Sequence, residues 1–207
     1  MRVCAIPGLN LSIAPDQMPV PLQTVQIDRD CGVAVLAGGC FWCTEAVFKQ
    51  LDGVTGIEPG YAGGRAERAN YQAVCTGLTG HAEAIRISYR PERISFGRLL
   101  QVFFAVAHDA TQLNRQGNDI GTQYRSAIFP QDPVQQGCAT AYIEQLTQAG
   151  VFLAPIVTSI ESGQTFHPAE TYHHDYAANH PEQPYIRAVS EPKAEKIRQY
   201  FRNYLVK

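Results

Sequence analysis

The stretch that decides how this chain folds is Gly38-Gly39-Cys40-Phe41-Trp42-Cys43. The run before it, 32–37, is short, apolar and rich in β-branched and small residues, which predicts a buried strand. The run after it, 44–51, has its large apolar residues at helical spacing and predicts an amphipathic helix. Because the two glycines allow a tight turn between strand and helix, Cys40 is predicted to lie at or near the helix N-terminus.

A cysteine at this position has a special electrostatic environment. Unpaired backbone N–H groups and the positive end of the helix dipole both favour a thiolate, so we expect an ionised Cys40. Cys43 follows three residues later, one helical turn away and on nearly the same face, which brings the two Cα atoms within the ~4.4–6.8 Å that a disulfide requires. The spacing therefore predicts a redox-active pair, with two structural cysteines packed as small hydrophobes as the alternative.

Composition limits the classes of function. The chain has 207 residues, 45% hydrophobic and 17% charged, and can bury a sizeable core. Its net charge is −2 without a dense Lys/Arg cluster, and no apolar run approaches the roughly 18 residues of a membrane span, so we expect neither nucleic acid nor membrane as a partner. Six cysteines with one CxxC indicate redox chemistry in a reducing compartment, and we expect a cytoplasmic protein.

The chain divides into an extension and one domain. Residues 1–30 show weak periodicity and an apolar stretch too short for a signal peptide, which predicts a poorly ordered or surface-draped N-terminal extension. Residues 31–207 are predicted to form a single catalytic domain that ends in a C-terminal helix.

Within the domain, the patterns predict elements in the order β-α-β-β-α-β-α-β-α. The later strands are expected at 53–61, 82–89, 124–129 and 155–160, and the later helices after Ser95, from Pro133, over 168–176 and over 192–204. The strands are too few and the connections too mixed for a doubly wound parallel sheet. We therefore predict an α+β fold, a two-layer sandwich of helices on a mixed β-sheet with a ferredoxin-like core.

Several polar groups are candidates for chemistry. Glu83 stands at a strand start, 116–126 is dense in hydrogen-bonding groups, and Tyr71 and Tyr124 lie at predicted loop-to-strand junctions. For Glu83 the alternative is a solvated carboxylate at the edge of the sheet. For 116–126 it is an ordinary Asx-type turn, and for the two tyrosines it is a place in the core with hydrogen-bonded hydroxyls.

Together these blocks resemble the peptide methionine sulfoxide reductase A family. The resemblance spans about residues 32 to 190 and is carried by four blocks in the family's order: Gly-Gly-Cys-Phe-Trp at 38–42, Gly-His-Ala-Glu at 80–83, Gln-Gly-Asn-Asp at 116–119 and Gly-Thr-Gln-Tyr-Arg-Ser at 121–126. It implies an enzyme that reduces methionine-S-sulfoxide, free or in proteins, to methionine, an activity that serves protein repair under oxidative stress. No cofactor is implied.

The resemblance also implies roles for individual residues. Cys40 attacks the sulfoxide sulfur and becomes a sulfenic acid, while Glu83, protonated at neutral pH, supplies the proton that the oxygen needs. Phe41 and Trp42, beside the nucleophile, would form the apolar wall that holds the methyl group. Tyr71 and Tyr124 match the family's two hydroxyl donors to the sulfoxide oxygen. Asp119 matches a polar residue that lines the site.

The chain departs from a common family pattern in its cysteines. Many members have glycine at the position of Cys43 and carry recycling cysteines near the C-terminus, whereas the last cysteine here is Cys138. Cys43 is therefore expected to be the resolving thiol, forming a disulfide with Cys40 that a thioredoxin-type dithiol reduces. No catalytic role is expected for Cys4, Cys31, Cys75 and Cys138.

Two other classes of function compete with this interpretation. A strand followed by a CxxC helix is also typical of thioredoxin-like dithiol-disulfide oxidoreductases, although Phe41 and Trp42 are bulky for docking a protein disulfide. A zinc-binding or interaction module needs a second ligand pair. The adjacent His173 and His174 would point apart on a helix, so no metal site is predicted.

Overall fold

The computed structural model describes residues 10–22 and 31–206. Its strands are β1 (Gly32–Gly38), β2 (Val54–Ala62), β3 (Ala82–Tyr89), β4 (Arg115–Gln116), β5 (Asp119–Ile120), β6 (Ser126–Phe129), β7 (Ser159–Ile160) and β8 (Phe166–Pro168). Its α-helices are α1 (Phe41–Phe48), α2 (Tyr71–Val74), α3 (Phe96–Val102), α4 (Pro133–Gln148), α5 (Tyr176–Asn179) and α6 (Glu191–Tyr200). A π-helical turn, Phe103–Ala107, extends α3, and another, Ile186–Ser190, precedes α6.

Six of these strands form one mixed sheet in the order β7-β6-β1-β3-β2-β8. All neighbours are antiparallel except β6 and β7, which run parallel. The short strands β4 and β5 pair separately as an antiparallel ladder. The prediction of helices packed on a mixed sheet is confirmed.

The helices create a hydrophobic environment on one face of the sheet. Ala34 and Leu36 of β1 belong to the main core with the helices, whereas the intervening Val35 belongs to a smaller cluster of mostly alanines. The same alternation holds in β3, where Ile85 joins the main core. Glu83, two residues earlier, therefore points to the helix side of the sheet.

The turn between β1 and α1 has the geometry that the sequence predicts. Gly39 has φ +84°, and a Cβ there would lie 2.6 Å from Cγ of Gln116, so both conformation and space require glycine. Cys40 is the N-cap residue, as expected. The helix covers Phe41–Phe48 rather than 44–51, because Leu51 pairs with Leu205 in an isolated bridge instead of continuing the helix.

Residues 10–22, part of the extension expected to be poorly ordered or surface-draped, pack against the domain. Leu11 and Met18 are buried in the main core. The Met18 and Pro19 carbonyls accept hydrogen bonds from Gln101 Nε2 (2.6 Å) and Tyr142 Oη (2.7 Å). Apolar burial and these bonds hold the segment on α3 and α4. The rest of the predicted extension, 1–9 and 23–30, lies outside the described residues.

Four other expectations were wrong in detail. The strand expected at 155–160 is reduced to β7, since the Val157 N–H donates to the Ala110 carbonyl and not to a strand. Asp175, with φ +55°, interrupts the helix expected over 168–176, leaving a 3₁₀ turn before it and α5 after it. Tyr71 opens α2 instead of a strand, because the Asn70 side chain caps the Ala73 N–H. The final helix ends at Tyr200, with a 3₁₀ turn over Arg202–Tyr204.

Across the two described ranges, every helix is too short or too polar to cross a bilayer.

Candidate active site

A cavity of about 150 Å³ opens at the N-terminus of α1. Its lining comes from five separate parts of the chain: Cys40, Phe41, Trp42, Tyr71, Glu83, Asp119, Tyr124 and Tyr185. All the candidate residues except Cys43 thus meet at one place. Cys43 is fully buried, does not line the cavity, and is hydrogen-bonded to the Cys40 thiol. Tyr185 was not predicted.

Burial, and not the helix N-terminus, dominates the electrostatics of Cys40. The residue is only 7% exposed, and this desolvation raises the pKa of the Cys40 thiol well above its usual value. The hydrogen bond and charge of Cys43 and the charge of Glu83 raise the pKa further. The expected thiolate stabilisation was wrong because burial outweighs the helix N-terminus, where three amides of the first turn are already bonded. The Phe41 N–H donates to Glu83 (3.1 Å), and those of Cys43 and Thr44 donate to the Cys40 carbonyl (3.1 and 3.3 Å).

Cys43 ionises more easily than Cys40. The pKa of Cys43 is lowered to about 7, mainly by its hydrogen bond with Cys40. Burial acts in the opposite direction and raises this pKa, whereas the charge of Lys193 and a hydrogen bond with Tyr185 lower it further. Cys43 Sγ lies 3.7 Å from the Tyr185 hydroxyl oxygen.

Glu83 is a buried acid. It is 2% exposed, and Oε2 accepts the Phe41 N–H bond. Desolvation raises the pKa of Glu83 to about 8, and repulsion from Asp119 and Cys43 contributes to this increase. The hydrogen bond from the Phe41 N–H acts in the opposite direction and lowers the pKa. The carboxyl is therefore protonated at pH 7, and the alternative of a solvated edge carboxylate is excluded.

Three phenols surround the acid and the thiols. Burial raises the pKa of Tyr71, Tyr124 and Tyr185, so each keeps its proton and is a hydrogen-bond donor. The Tyr185 hydroxyl donates to Oδ2 of Asp119 at 2.6 Å. Tyr71 also contacts the exposed Cys75 through a side-chain hydrogen bond.

The apolar side of the cavity is formed by Phe41 and Trp42, and behind Trp42 lie His173 and Tyr176. The Trp42 ring stacks on Tyr176 with centroids 3.9 Å apart, and Trp42 Nε1 donates to Nδ1 of His173 at 3.1 Å. Accepting at Nδ1 places the imidazole proton on Nε2, and burial lowers the pKa of His173, so the ring is neutral. Trp42 is thus fixed from two directions.

Two carboxylates hold the segment that carries His173 and Tyr176. Glu170 accepts bonds from the Tyr61 hydroxyl and the Tyr71 N–H, both at 2.9 Å. Glu45 accepts the Asp175 N–H with both oxygens at 3.1 Å. The sequence analysis missed both residues, although the density of His and Tyr after 170 was a signal of an ordered segment.

Other motif residues support the site without lining it. Gln116 pairs with the backbone of Asp109, donating to its carbonyl at 2.7 Å and accepting its N–H at 3.0 Å. Arg125 forms a two-bond ion pair with Glu161 at 2.7 and 2.8 Å and donates to the Gly80 carbonyl. Within residues 10–22 and 31–206, no three His, Cys, Asp or Glu side chains are grouped to hold a metal ion.

The fold and the cavity define the class of protein: an α+β protein with a cysteine-based site. The model of the peptide methionine sulfoxide reductase family matches residues 32–205. The chain is 54% identical over 168 residues to peptide methionine sulfoxide reductase MsrA from Deinococcus radiodurans, covering 81% of each chain. It is 52% identical over 172 residues to MsrA from Chromobacterium violaceum, covering 83% of this chain and 97% of the relative.

Solved structures agree with these relatives. The structure of Mxr1 from Saccharomyces cerevisiae in reduced form aligns with a TM-score of 0.68 and 33% identity, covering 78% of this chain and 92% of that chain. Methionine sulfoxide reductase A of Corynebacterium diphtheriae aligns with a TM-score of 0.59 and 30% identity, over 86% of this chain and 87% of that one. This chain belongs to the peptide methionine sulfoxide reductase family, as the motif resemblance predicts.

We expect Glu83→Gln to stabilise the fold, increasingly so as the pH rises. The folded protein holds the Glu83 proton up to a pKa of about 8, whereas the unfolded chain releases it near the ordinary value of 4.5. Keeping this carboxyl protonated therefore costs the folded state no free energy at a pH below both pKa values, and the cost grows as the pH rises toward 8. Glutamine keeps a carbonyl oxygen for the Phe41 N–H. Urea unfolding at pH 8 should show a gain of roughly 1–3 kcal/mol.

The control is Glu161→Gln. Glu161 has a lowered pKa and pairs with Arg125, so its replacement should destabilise the protein at pH 8. An identical stability change for Glu83→Gln at pH 4 and pH 8 would contradict the buried-acid interpretation.

Proposed function

We propose that this protein reduces methionine-S-sulfoxide, free or in proteins, to methionine, with Cys40 as nucleophile. The observation that carries the proposal is the meeting of Cys40 with the protonated Glu83 and two phenols in one cavity, in a chain of this family. The family match leaves the thioredoxin-like alternative without support.

The shape and polarity of the cavity fit a sulfoxide. A methionine sulfoxide carries an apolar methyl group and a polar oxygen on the same sulfur. Phe41 and Trp42 offer the methyl an apolar surface, while Glu83, Tyr71 and Tyr124 offer the oxygen three proton donors. The cavity, about 150 Å³, is smaller than the ~300–1,000 Å³ of typical small-molecule sites, so it suits the end of a side chain.

The first step transfers the oxygen to Cys40. The Cys40 thiolate attacks the sulfoxide sulfur while Glu83 gives its proton to the oxygen. The attack joins the two sulfurs, and the hydroxyl then moves from the substrate sulfur to the Cys40 sulfur as this S–S bond breaks. Cys40 becomes a sulfenic acid, and the substrate sulfur keeps the electron pair of the broken bond and becomes the thioether of methionine. Tyr71 and Tyr124 donate hydrogen bonds to the oxygen as its charge develops, and Asp119 orients neighbouring groups.

The second step recycles the enzyme through Cys43. Glu83 first takes up a proton from water, because its pKa of about 8 favours the protonated form. The Cys43 thiolate then attacks the Cys40 sulfenic sulfur, the Glu83 proton lets the hydroxyl leave as water, and a Cys40–Cys43 disulfide forms. The hydrogen bond between the thiols and the easier ionisation of Cys43 support this assignment. A bridge within one helical turn is strained and reducible, which suits a thioredoxin-type dithiol as reductant.

The topology and the thiols support further assignments. We propose a ferredoxin-like core: β1-α1-β2-β3-α3-β6 follows the order of that motif, and the strands lie side by side as β6-β1-β3-β2.

We also propose that 31–207 is a single catalytic domain preceded by the extension 1–30. A reducing compartment such as the cytoplasm is supported by exposed free thiols at Cys31 and Cys75.

The main test uses a methionine sulfoxide peptide of known sulfur configuration with dithiothreitol as reductant. The parent should release methionine from the S epimer only, and Cys40→Ser should release none while Trp42, the single tryptophan, keeps its fluorescence. Cys138→Ser, which removes a buried cysteine outside the cavity, should remain active. Turnover by Cys40→Ser would overturn the proposed function, and equal rates on both epimers would overturn the stereospecificity.

Replacing the acid should slow the chemistry without preventing binding. Glu83→Gln keeps a hydrogen-bond donor but has no proton to transfer, so we expect the single-turnover rate to fall by ~10²–10⁴-fold at saturating substrate. Rapid quenching and quantification of methionine measure this rate. If Glu83→Gln and Glu83→Ala both matched the parent, the acid would have to be another group.

Removing the resolving thiol should separate the two steps. Cys43→Ser should still release one equivalent of methionine per chain, because the first step requires only Cys40. Turnover should be slow with thioredoxin, which requires a disulfide to attack, and less impaired with a small thiol that reaches the sulfenic acid. Mass mapping of the parent after one turnover should show Cys40 joined to Cys43; a bridge from Cys40 to Cys75 or Cys138 would contradict the assignment.

A further inference from the structure

Tyr185 connects the thiol pair to a carboxyl group at the edge of the cavity. Its hydroxyl oxygen lies 3.7 Å from Cys43 Sγ, is hydrogen-bonded to the Cys40 thiol, and donates to Asp119 Oδ2 at 2.6 Å. The thiols are buried, Tyr185 is half-buried, and Asp119 is partly open to solvent. A continuous path of hydrogen-bonding groups therefore runs from both sulfurs to water.

The proposed reaction needs such a path twice. Cys40 must lose its thiol proton before it attacks the sulfoxide, and Cys43 must lose its own before it attacks the sulfenic acid. Burial opposes ionisation of Cys40, and the Phe41, Cys43 and Thr44 amides at the start of α1 are bonded elsewhere. Glu83 is protonated at the start of each step, so it cannot accept the proton that a thiol releases.

The other titratable groups that face the thiols are not acceptors. Tyr71 and Tyr124 keep their protons, and Lys193 of α6 contributes a positive charge that favours a thiolate. Asp119 of β5 is the remaining carboxyl group beside the thiol pair among the described residues, and it reaches them through Tyr185. Burial raises the pKa of Tyr185, so the phenol releases its proton only as it receives another.

We propose that Tyr185 relays a proton from each thiol in turn to Asp119, an inference that rests on the proposed function. A thiol proton moves to the Tyr185 oxygen while the Tyr185 hydroxyl proton moves to Asp119 Oδ2. The products are a thiolate, an unchanged phenol and a protonated Asp119, which then releases its proton to water. No electrons move in this transfer, and the same path serves Cys40 before sulfoxide attack and Cys43 before disulfide formation.

The test measures proton-coupled steps separately from thiol ionisation. Parent, Tyr185→Phe and Asp119→Asn are taken through a single turnover, and methionine release and disulfide formation are followed by rapid quenching. Iodoacetamide labelling of Cys40 and Cys43 across pH 6–10, mapped by mass spectrometry, reports how far each thiol is ionised. Tyr142→Phe, which removes a buried phenol bonded to Pro19 far from the cavity, is the matched control.

The two variants separate a relay from a charge effect. Asn at 119 keeps an acceptor for the Tyr185 hydroxyl but removes a negative charge that disfavours the Cys43 thiolate. Labelling of Asp119→Asn should therefore be as fast as in the parent or faster. A relay nevertheless predicts that disulfide formation becomes roughly 10²-fold slower in both Asp119→Asn and Tyr185→Phe, and that the double variant is no slower than either single one.

Step rates that stay at the parent value, or that change only in parallel with labelling, would overturn the relay. Disulfide formation follows methionine release, so a substrate-binding defect does not affect it. If the parent reduces no sulfoxide, the proposed function fails; the relay is then judged by oxidising Cys40 to its sulfenic acid with hydrogen peroxide and timing the disulfide in the same variants.

Discussion

The hydrogen bond from the Phe41 N–H to Glu83 is the contact on which the site depends. It joins the start of α1 to β3, and so fixes the nucleophile on the helix relative to the acid on the sheet. It also occupies the amide that would otherwise stabilise a thiolate at the helix N-terminus. The acid is ready to donate for the same reason that the nucleophile is slow to ionise: both are buried at this junction.

The cavity and the aromatic residues that support Trp42 come from parts far apart in the chain, and Tyr185 of the C-terminal segment lines the cavity itself. Trp42 follows β1, whereas His173 and Tyr176 come after the last strand of the sheet. Glu45 and Glu170 bind backbone N–H groups across this gap and hold the C-terminal segment in place. The site is therefore complete only when the chain beyond β8 has docked, and the sheet alone does not form it.

The local features of the site could be predicted from sequence, and the tertiary ones could not. The strand-turn-helix at 32–48 and the position of Cys40 follow from apolar periodicity and the need for a positive φ at Gly39. The ionisation of Cys40 was predicted with the wrong direction, because which amides remain free depends on Glu83, 43 residues along the chain. Tyr185 was missed because it precedes a π-helical turn in an irregular region whose periodicity carries little signal.

The small volume of the cavity sets a condition on the damaged protein as well as on the enzyme. A site that admits only the end of a side chain engages a sulfoxide that projects from its own backbone, so an oxidised methionine inside a folded core must first be exposed by local opening. Oxidation turns the methionine side chain from apolar to polar and weakens the packing around it, which promotes that opening. The rate of repair then reflects the local stability of the target, and residues in its least stable regions are restored first.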